Sequence, residues 1–496
     1  MKRYSTLAAA ALVLSAAPAV AQAPANVVPS SGAPAALPAS AIGRIAQALL
    51  DAINSGDSAR VRRWADTSLS ESARRREPIE GQVAFLQRVQ AQSGGLDVTG
   101  ISRAADPLRF DVRVRRTGRP AHLLLGTGRG EPNRAEGVGV FAAAPPMEPW
   151  TRGRFSEAEI RDTIAARVAA AVARDEFSGV VRVMKGDRVV LEQAWGEAER
   201  GFHVPNNVET RFNIASMGKM FTAVAIAQLV EAGKLSFDDT LAKVLPDYPN
   251  AEAARKITIH QLLTHSAGLG PFFERPGYDR RKDYPTAASL LEVFAREPLA
   301  YEPGTRAEYS NEGFVVLGAV VERVSGENYY EYVRRHVWAP AGMTRTDAYA
   351  INDPVENLAV GYGRFDDDPL GMNPRRPNWA FLGLRGTPAG GFYSTAGDMA
   401  RFAQALRGGK LVSAAMVERL TTVKEGGLRN YGYGFQVFEV DGEGVVGHDG
   451  GGGSSGINSD LYWLADGSWT VAVMGNYDAP AAQRVARAIM GFVAGH

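Results

Sequence analysis

Ser216-Met217-Gly218-Lys219 is a Ser-x-x-Lys quartet at the start of a long apolar segment, residues 220–230. The apolar run predicts a buried helix from Ser216 to about Ala232, closed by Gly233. At a spacing of three residues, Ser216 and Lys219 share one helix face. A lysine in a dry site can lose its proton and act as the base for a serine nucleophile. The quartet therefore indicates an acyl-transfer enzyme, although most such quartets combine a capping serine with a solvated lysine.

Composition narrows the class of protein. The chain has 496 residues, of which 45% are hydrophobic and 22% charged, values typical of a soluble globular protein with two or three domains. The net charge of +1 argues against nucleic acid as a partner. The sequence contains no cysteine, which excludes a thiol nucleophile, thiolate metal ligands and disulfides.

The first residues have the pattern of an export signal. Lys2 and Arg3 precede an apolar stretch, residues 7–14, and small residues follow up to Ala21 and Ala23. This pattern predicts a cleavable signal peptide over residues 1–23 and a periplasmic or secreted protein. No other segment is apolar enough to predict a membrane span.

Composition and periodicity predict two folded domains after the signal peptide. Apolar residues at helical spacing from Ile42, followed by the alternating segment Leu108–Val114, indicate a small α+β domain. Its helix, Asn-Ser-Gly-Asp break and second helix resemble the opening of a nuclear-transport-factor-2-like (SnoaL-like) domain. The predicted boundaries are an Ala/Pro-rich linker over 24–40, the small α+β domain over 41–144, a linker over 145–154 and a second domain over 155–496.

The second domain combines predicted strands from both of its ends. Two strand-like runs, residues 179–184 and 188–195, form a predicted hairpin, and four more strands lie between residues 434 and 473. A closing helix is predicted over residues 481–494. We expect the early and late strands to share one antiparallel sheet.

Two further motifs could complete a reaction centre around Ser216. Tyr309-Ser310-Asn311 precedes an apolar helix, and a tyrosine beside a lysine can relay protons to a leaving group. A second triplet, Tyr248-Pro249-Asn250, is better interpreted as a turn. Gly447-His448-Asp449-Gly450-Gly451 ends a strand, where backbone N–H groups can stabilise an oxyanion, although alone it would indicate a glycine-rich turn.

Five motifs follow one another along the second domain. They are Phe212-Asn213-Ile214-Ala215-Ser216-x-x-Lys219, Leu262-Leu263-Thr264-His265-Ser266-Ala267-Gly268-Leu269, Tyr309-Ser310-Asn311, Pro388-Ala389-Gly390-Gly391 with Ser394-Thr395, and His448-Asp449-Gly450. In this order they resemble the penicillin-recognising serine hydrolases, specifically the class C β-lactamase-like branch with its D-alanyl-D-alanine carboxypeptidases, D-aminopeptidases and esterases. The resemblance covers about residue 155 to the C-terminus. It implies an α/β (α+β) β-lactamase/transpeptidase-like fold with an antiparallel sheet and a helical subdomain.

The resemblance also implies roles for individual residues. Ser216 would form the acyl-enzyme, and Lys219 and Tyr309 would share general acid–base work. Asn311 would orient Lys219 or the substrate amide. The backbone N–H groups of Ser216 and Gly451 would form the oxyanion hole, with His448 and Gly450 beside the substrate. No metal or organic cofactor is implied, and the partner is a small-molecule or peptide substrate.

One motif departs from true class C β-lactamases, which carry Lys-Thr-Gly where this chain has His448-Asp449-Gly450. Lysine supplies a fixed positive charge for a substrate carboxylate, whereas histidine is mostly neutral near pH 7. We therefore expect hydrolysis of an ester, an amide or a D-amino-acid peptide rather than strong β-lactamase activity. A β-lactamase or carboxypeptidase, and a non-catalytic binding protein that retains the fold, remain as alternatives.

Other motifs fit other chemistries less well. The Gly-x-Ser-x-Gly match at 452–456 would need a triad histidine after Ser454, and only His496 follows it. His260 and His265 are five residues apart, which does not place them on one helix face as zinc ligands. We interpret His265 as part of a structural turn near the site. Substrate choice is expected to depend on the loops over 270–286 and 361–386.

Overall fold

The computed structural model describes residues 36–103, 107–128, 131–143, 150, 153, 155–270, 278–364, 368, 370–452 and 455–496. The predicted signal peptide and most of the two predicted linkers lie outside these residues. The described residues divide into two compact units, one within residues 1–146 and 364–375 and one within residues 147–363 and 376–496. Within the described residues, no helix has the length and apolarity needed to cross a membrane.

The first unit packs helices against an antiparallel sheet. Its elements are helices α1 (Ala41–Asn54), α2 (Ser58–Ser68), α3 (Glu71–Arg76) and α4 (Ile79–Ser93), and strands β1 (Leu96–Arg103), β2 (Leu108–Val114), β3 (Pro120–Gly128) and β4 (Glu131–Ala142), in sheet order β1-β2-β3-β4. Asp57 caps α2 by accepting the Ala59 N–H, which explains the break after α1. The alternating residues of β2 bury Leu108, Phe110, Val112 and Val114, as predicted.

The second unit contains the remaining elements. Its strands are β5 (Gly179–Lys185), β6 (Arg188–Trp195), β7 (Glu197–Glu199), β8 (Val204–Pro205), β9 (Phe212–Asn213), β10 (Tyr362–Gly363), β11 (Arg376–Pro377), β12 (Tyr393–Ser394), β13 (Gln436–Val440), β14 (Glu443–Gly451), β15 (Asn458–Leu464) and β16 (Trp469–Gly475). Its helices are α5 (Glu157–Ala173), α6 (Gly218–Glu231), α7 (Leu241–Val244), α8 (Ala251–Lys256), α9 (Ile259–Leu263), α10 (Asn311–Ser325), α11 (Tyr329–Val333), α12 (Ala339–Ala341), α13 (Ala396–Arg407), α14 (Ala414–Thr421) and α15 (Ala481–Val493).

A six-stranded antiparallel sheet organises the second unit, in the order β13-β14-β15-β16-β5-β6. The pairing of β16 with β5 joins the two ends of this region, as predicted. Side chains alternate across the sheet, so one face packs on α5 and α15 and the other on a larger helical core around α6 and α10. Helix α6 is buried along almost its whole length, which agrees with its few charges.

A short segment of the later chain belongs to the first unit. Strands β10 and β11 pair as an antiparallel ribbon, and the residues between them, 364–375, are grouped with the first unit. Leu370 is 3% exposed and lies in that unit's apolar core. The carboxylate of Asp368 accepts the backbone N–H groups of Met372 and Asn373, both at 2.8 Å, which holds this turn.

Candidate active site

Ser216 lies in a single 3₁₀ turn, Ala215–Met217, directly before α6. The residue before it, Ala215, has a φ of +43°, a conformation that costs a non-glycine residue about 1–3 kcal/mol. The Asn213 side chain holds this turn because its Oδ1 accepts the Ala215 N–H at 2.9 Å. The chain therefore presents a half-buried Ser216 on a sharp turn directly before a buried helix.

The Lys219 side chain is completely buried one turn after Ser216, with 0% exposure. Its Nζ donates to Asn311 Oδ1 and to the Ala389 carbonyl, both at 2.7 Å. The same Nζ lies 3.2 Å from Ser216 Oγ. Lys219 is thus held by protein acceptors on two sides and faces the serine on the third.

Burial decides the charge of Lys219. Loss of hydration lowers the pKa of its ammonium to about 7, against the opposing effect of the carboxylates of Glu312 and Asp449. Glu312 is 4% exposed and lies at the start of α10. A substantial fraction of Lys219 is therefore neutral at physiological pH.

Tyr309 completes the contacts of the serine. Its hydroxyl hydrogen-bonds to the Ser216 side chain, and its ring centroid lies 4.7 Å from Lys219 Nζ. Loss of hydration raises the pKa of the Tyr309 phenol well above 10, and the bond to Ser216 offsets this only in part. The positive charge of a neighbouring lysine would favour phenolate, but burial outweighs it, and Tyr309 remains a proton donor.

His265 packs against Tyr309. The two rings stack with centroids 4.5 Å apart, and His265 Nδ1 accepts the backbone N–H of Ser310 at 3.0 Å. Burial lowers the pKa of His265 well below its usual value, so the ring is neutral. These contacts agree with the interpretation of His265 as part of a structural turn near the site.

The third motif forms the end of β14, beside the serine turn. A Cβ on Gly450 would lie 2.2 Å from the Ile214 carbonyl oxygen, so only glycine permits this approach. Gly451 is the last residue of the strand. His448 is 1% exposed, and both of its ring nitrogens have protein partners, Nε2 at 2.9 Å from the Tyr431 hydroxyl and Nδ1 at the Asp449 carbonyl.

The second unit matches a known protein family. The description of that family is Beta-lactamase, and the match covers residues 160–494. The chain belongs to the Beta-lactamase family. The family membership confirms the predicted β-lactamase-related serine hydrolase fold and class. Residues 1–146 of the first unit lie before the matched region, and the SnoaL-like resemblance stays a prediction.

Individual known proteins are also similar to this chain. A Bacillus subtilis protein named as a penicillin-binding protein, PbpX, is 33% identical over 53% of this chain, and the matched region spans 62% of that protein. The crystal structure of a penicillin-binding protein from Bacillus halodurans is 30% identical, covers 68% of this chain and 99% of its own, and has a TM-score of 0.57. A D-stereospecific amidohydrolase from a Streptomyces species is 26% identical, covers 68% and 99%, and has a TM-score of 0.56.

Within this family fold, the structure brings together all of the candidate residues of the sequence. Ser216, Lys219, Tyr309 and Asn311 are linked by hydrogen bonds, and the strand carrying His448, Gly450 and Gly451 lies against the serine turn. Sequence reasoning missed Glu312 and Tyr431. The position of Glu312 directly after the Tyr-x-Asn triplet could have indicated that it lies near the site. The contact of Tyr431 with His448 could not be predicted, because the two residues meet only in the folded protein.

The two loops predicted to govern substrate choice are described only partly. Residues 271–277 of the loop over 270–286, and residues 365–367 and 369 of the loop over 361–386, lie outside the described residues. The same holds for residues 453–454 of the Gly-x-Ser-x-Gly match. In the part of the chain that the structure describes, no group of three or more His, Asp or Glu side chains is arranged to hold a metal ion.

Proposed function

We propose that this protein is a serine hydrolase that forms an acyl-enzyme on Ser216. One observation carries the proposal: Ser216 Oγ lies 3.2 Å from the Nζ of a lysine that is 0% exposed and has a pKa of about 7. A general base is most effective when its pKa is close to the working pH. An exposed lysine, with a pKa near 10.4, would be almost fully protonated.

Acylation begins when Ser216 Oγ attacks the carbonyl carbon of the substrate. The hydroxyl proton passes to neutral Lys219, and the carbonyl electron pair moves onto oxygen. The backbone N–H groups of Ser216 and Gly451 stabilise this oxyanion, and one such donor is typically worth about 3 kcal/mol of barrier. Asn311 and the Ala389 carbonyl keep Lys219 Nζ directed at the serine.

The tetrahedral intermediate then collapses and its bond to the leaving group breaks. Tyr309 is a neutral phenol that is hydrogen-bonded to the Ser216 side chain. It donates its proton to the oxygen of a departing alcohol or to the nitrogen of a departing amine. The Lys219 ammonium returns a proton to the phenolate. Water then attacks the acyl-enzyme ester with neutral Lys219 as base, and the proton passes on to Ser216 Oγ, which releases the acid and restores Ser216.

The proposed substrate is an ester, an amide or a D-amino-acid peptide. His448 supports this choice because burial lowers its pKa and both ring nitrogens bond to protein groups. It supplies no fixed positive charge for the carboxylate of a β-lactam. The D-stereospecific activity named for the Streptomyces relative supports the amide and peptide options. The N-terminal pattern supports a periplasmic or secreted location.

The second candidate is a β-lactamase or D-alanyl-D-alanine carboxypeptidase, which the penicillin-binding names of the relatives favour. A substrate panel separates the two. Nitrophenyl esters, D-alanine amides, D-alanyl-D-alanine peptides and a chromogenic cephalosporin would be compared for kcat/KM with wild type and Ser216→Ala. We expect Ser216-dependent turnover of esters or D-amides to exceed that of the cephalosporin. Turnover dominated by the cephalosporin would favour the second candidate, and turnover unchanged in Ser216→Ala would refute both.

A further inference from the structure

Tyr431 contacts one of the two ring nitrogens of His448 and so affects which hydrogen bonds the His448 side chain can make with a substrate. Tyr431 is 1% exposed, and its hydroxyl lies 2.9 Å from His448 Nε2. The other ring nitrogen, Nδ1, lies against the carbonyl oxygen of Asp449. A carbonyl only accepts hydrogen bonds, so Nδ1 must carry the proton. In the neutral ring, Nε2 is then an acceptor, and the Tyr431 O–H donates to it.

Burial keeps the His448 ring neutral. Burial is the largest effect and lowers the pKa of His448; the adjacent Asp449 on β14 raises this pKa, and Lys219 on α6 lowers it. His265, which packs on Tyr431 with ring centroids 4.8 Å apart, is neutral because burial lowers its pKa. Burial also raises the pKa of Tyr431, which keeps its hydroxyl as a donor.

We propose that Tyr431 is a positioning residue that occupies Nε2 of the Nδ1–H tautomer of His448, so that the His448 side chain presents neither an N–H nor a free acceptor to the substrate. This inference rests on the proposed function, because it assigns the site to acyl groups without a carboxylate at that position. A binding site disfavours a substrate when binding leaves a buried polar group without a hydrogen-bond partner. Tyr431 therefore contributes to selection without touching the substrate.

The chain contains a matched control. Tyr433, two residues later, forms the same kind of pair, with its hydroxyl 2.7 Å from His260 Nδ1. Tyr433→Phe removes an equivalent oxygen from an equivalent tyrosine–histidine bond. Neither His260 nor Tyr433 hydrogen-bonds to Ser216, Lys219 or Tyr309 in the described contacts.

The direct test is nitrogen NMR of protein labelled with ¹⁵N-histidine, in which His448→Gln identifies the signal among seven histidines. In wild type, we expect a protonated Nδ1 and an Nε2 of the hydrogen-bonded acceptor type. Tyr431→Phe should move the Nε2 signal toward that of an unbonded nitrogen, and Tyr433→Phe should leave it in place. An Nε2–H tautomer in wild type, or an unchanged signal in Tyr431→Phe, would overturn the proposal. An Nε2–H tautomer in the wild-type spectrum overturns the proposal even if the variant folds poorly.

A kinetic measurement tests the consequence for selectivity. The ratio of kcat/KM for a peptide ending in a free carboxylate to that for its amide should fall about fivefold in Tyr431→Phe, the effect of one hydrogen bond, because the freed Nε2 can accept from an amide N–H but offers no donor to a carboxylate. The ratio should not change in Tyr433→Phe, and an unchanged ratio in Tyr431→Phe would contradict the selectivity claim. Fluorophosphonate labelling of each variant reports separately on Ser216. Loss of labelling in wild type would refute the proposed function, whereas the NMR result does not depend on activity.

Discussion

Lys219 Nζ lies 3.2 Å from Ser216 Oγ, and the lysine is held at this distance by Asn311 and the Ala389 carbonyl with no exposure to solvent. Two properties of the same residue, its position and its burial, therefore make it a base. Position alone would leave a protonated amine beside the serine. Burial removes the hydration that stabilises the ammonium.

The pH dependence of acylation should follow Lys219. The base must be neutral, so kcat/KM is expected to fall as the pH decreases through the Lys219 pKa of about 7 and to level off above it. Lys219→Arg retains the charge but cannot deprotonate, and should lose about 10²- to 10⁴-fold in kcat/KM at pH 8. Stopped-time assays from pH 5 to 9 check both the pH profile of wild type and the loss of activity in Lys219→Arg. A Lys219→Arg enzyme that retained most of its activity would contradict the role of the lysine.

Glu312 should tune this profile. Its carboxylate, 4% exposed, favours the ammonium form of Lys219 and so raises its pKa. Glu312→Gln keeps an acceptor for the Ser310 hydroxyl, which now bonds to Glu312 Oε2 at 2.8 Å, but removes the charge. The acid limb of the kcat/KM profile is expected to move to lower pH. Glu308→Gln, at an exposed position, is the control, and an acid limb shifted to higher pH in Glu312→Gln would disprove the effect.

Asp460 is a second buried acid, placed opposite Asp449 in the pairing of β15 with β14. It has 0% exposure, and its two carboxylate oxygens lack a hydrogen-bond partner among the described residues. Burial raises its pKa well above 3.8, and the charge of Asp449 adds to this. The folded state therefore holds a proton that the unfolded state releases, and stability decreases as the pH rises from the unfolded pKa through the folded one.

Asp460→Asn should remove the loss of stability that accompanies ionisation of this buried carboxyl group. We expect the variant to match wild type near pH 4 and to gain about 1–3 kcal/mol of unfolding free energy at pH above the folded pKa of Asp460. Thermal denaturation across pH 4 to 9 measures the difference, with Asp247→Asn, whose side chain is 86% exposed, as the control. A difference that does not grow with pH would show that Asp460 is not held protonated.

The segment 364–375 should stabilise the first unit. Leu370, 3% exposed in that unit's core, loses its packing in Leu370→Ala, at an expected cost of about 2–5 kcal/mol. Hydrogen exchange of the full chain should show faster exchange in α1 and β2, with α6 unchanged. Val423→Ala, at a position 47% exposed, is the control. Equal protection of α1 and β2 in Leu370→Ala and wild type would contradict the structural role of the segment.

Local sequence patterns predicted most of the fold. The hairpin of β5 and β6, the buried helix α6 and the late strands β14 to β16 were all predicted within a few residues, because each has a clear apolar period and a turn at its ends. The ordered motifs similarly predicted that Ser216, Lys219, Tyr309 and Asn311 would meet. The family match then confirmed the fold those motifs imply.

Other features depend on partners that are distant in the chain. The segment around Leu370 has no periodicity of its own, and its assignment to the first unit depends on a core built from residues 42–140. The pairing of Tyr431 with His448 depends on the bridge between Tyr431 and Gln436 and on the register of β13 with β14. The lowered pKa of Lys219 depends on burial, which one helix does not determine.

Covalent labelling of Ser216 tests the central claim most directly. Intact-protein mass spectrometry after incubation with a fluorophosphonate, followed by peptide mapping, should show one adduct on Ser216 in wild type. Ser216→Ala should show no adduct, and Ser266→Ala, in a neighbouring motif, should react as wild type does. A wild-type protein that remains unmodified, or an adduct that maps to another residue and persists in Ser216→Ala, would contradict the account.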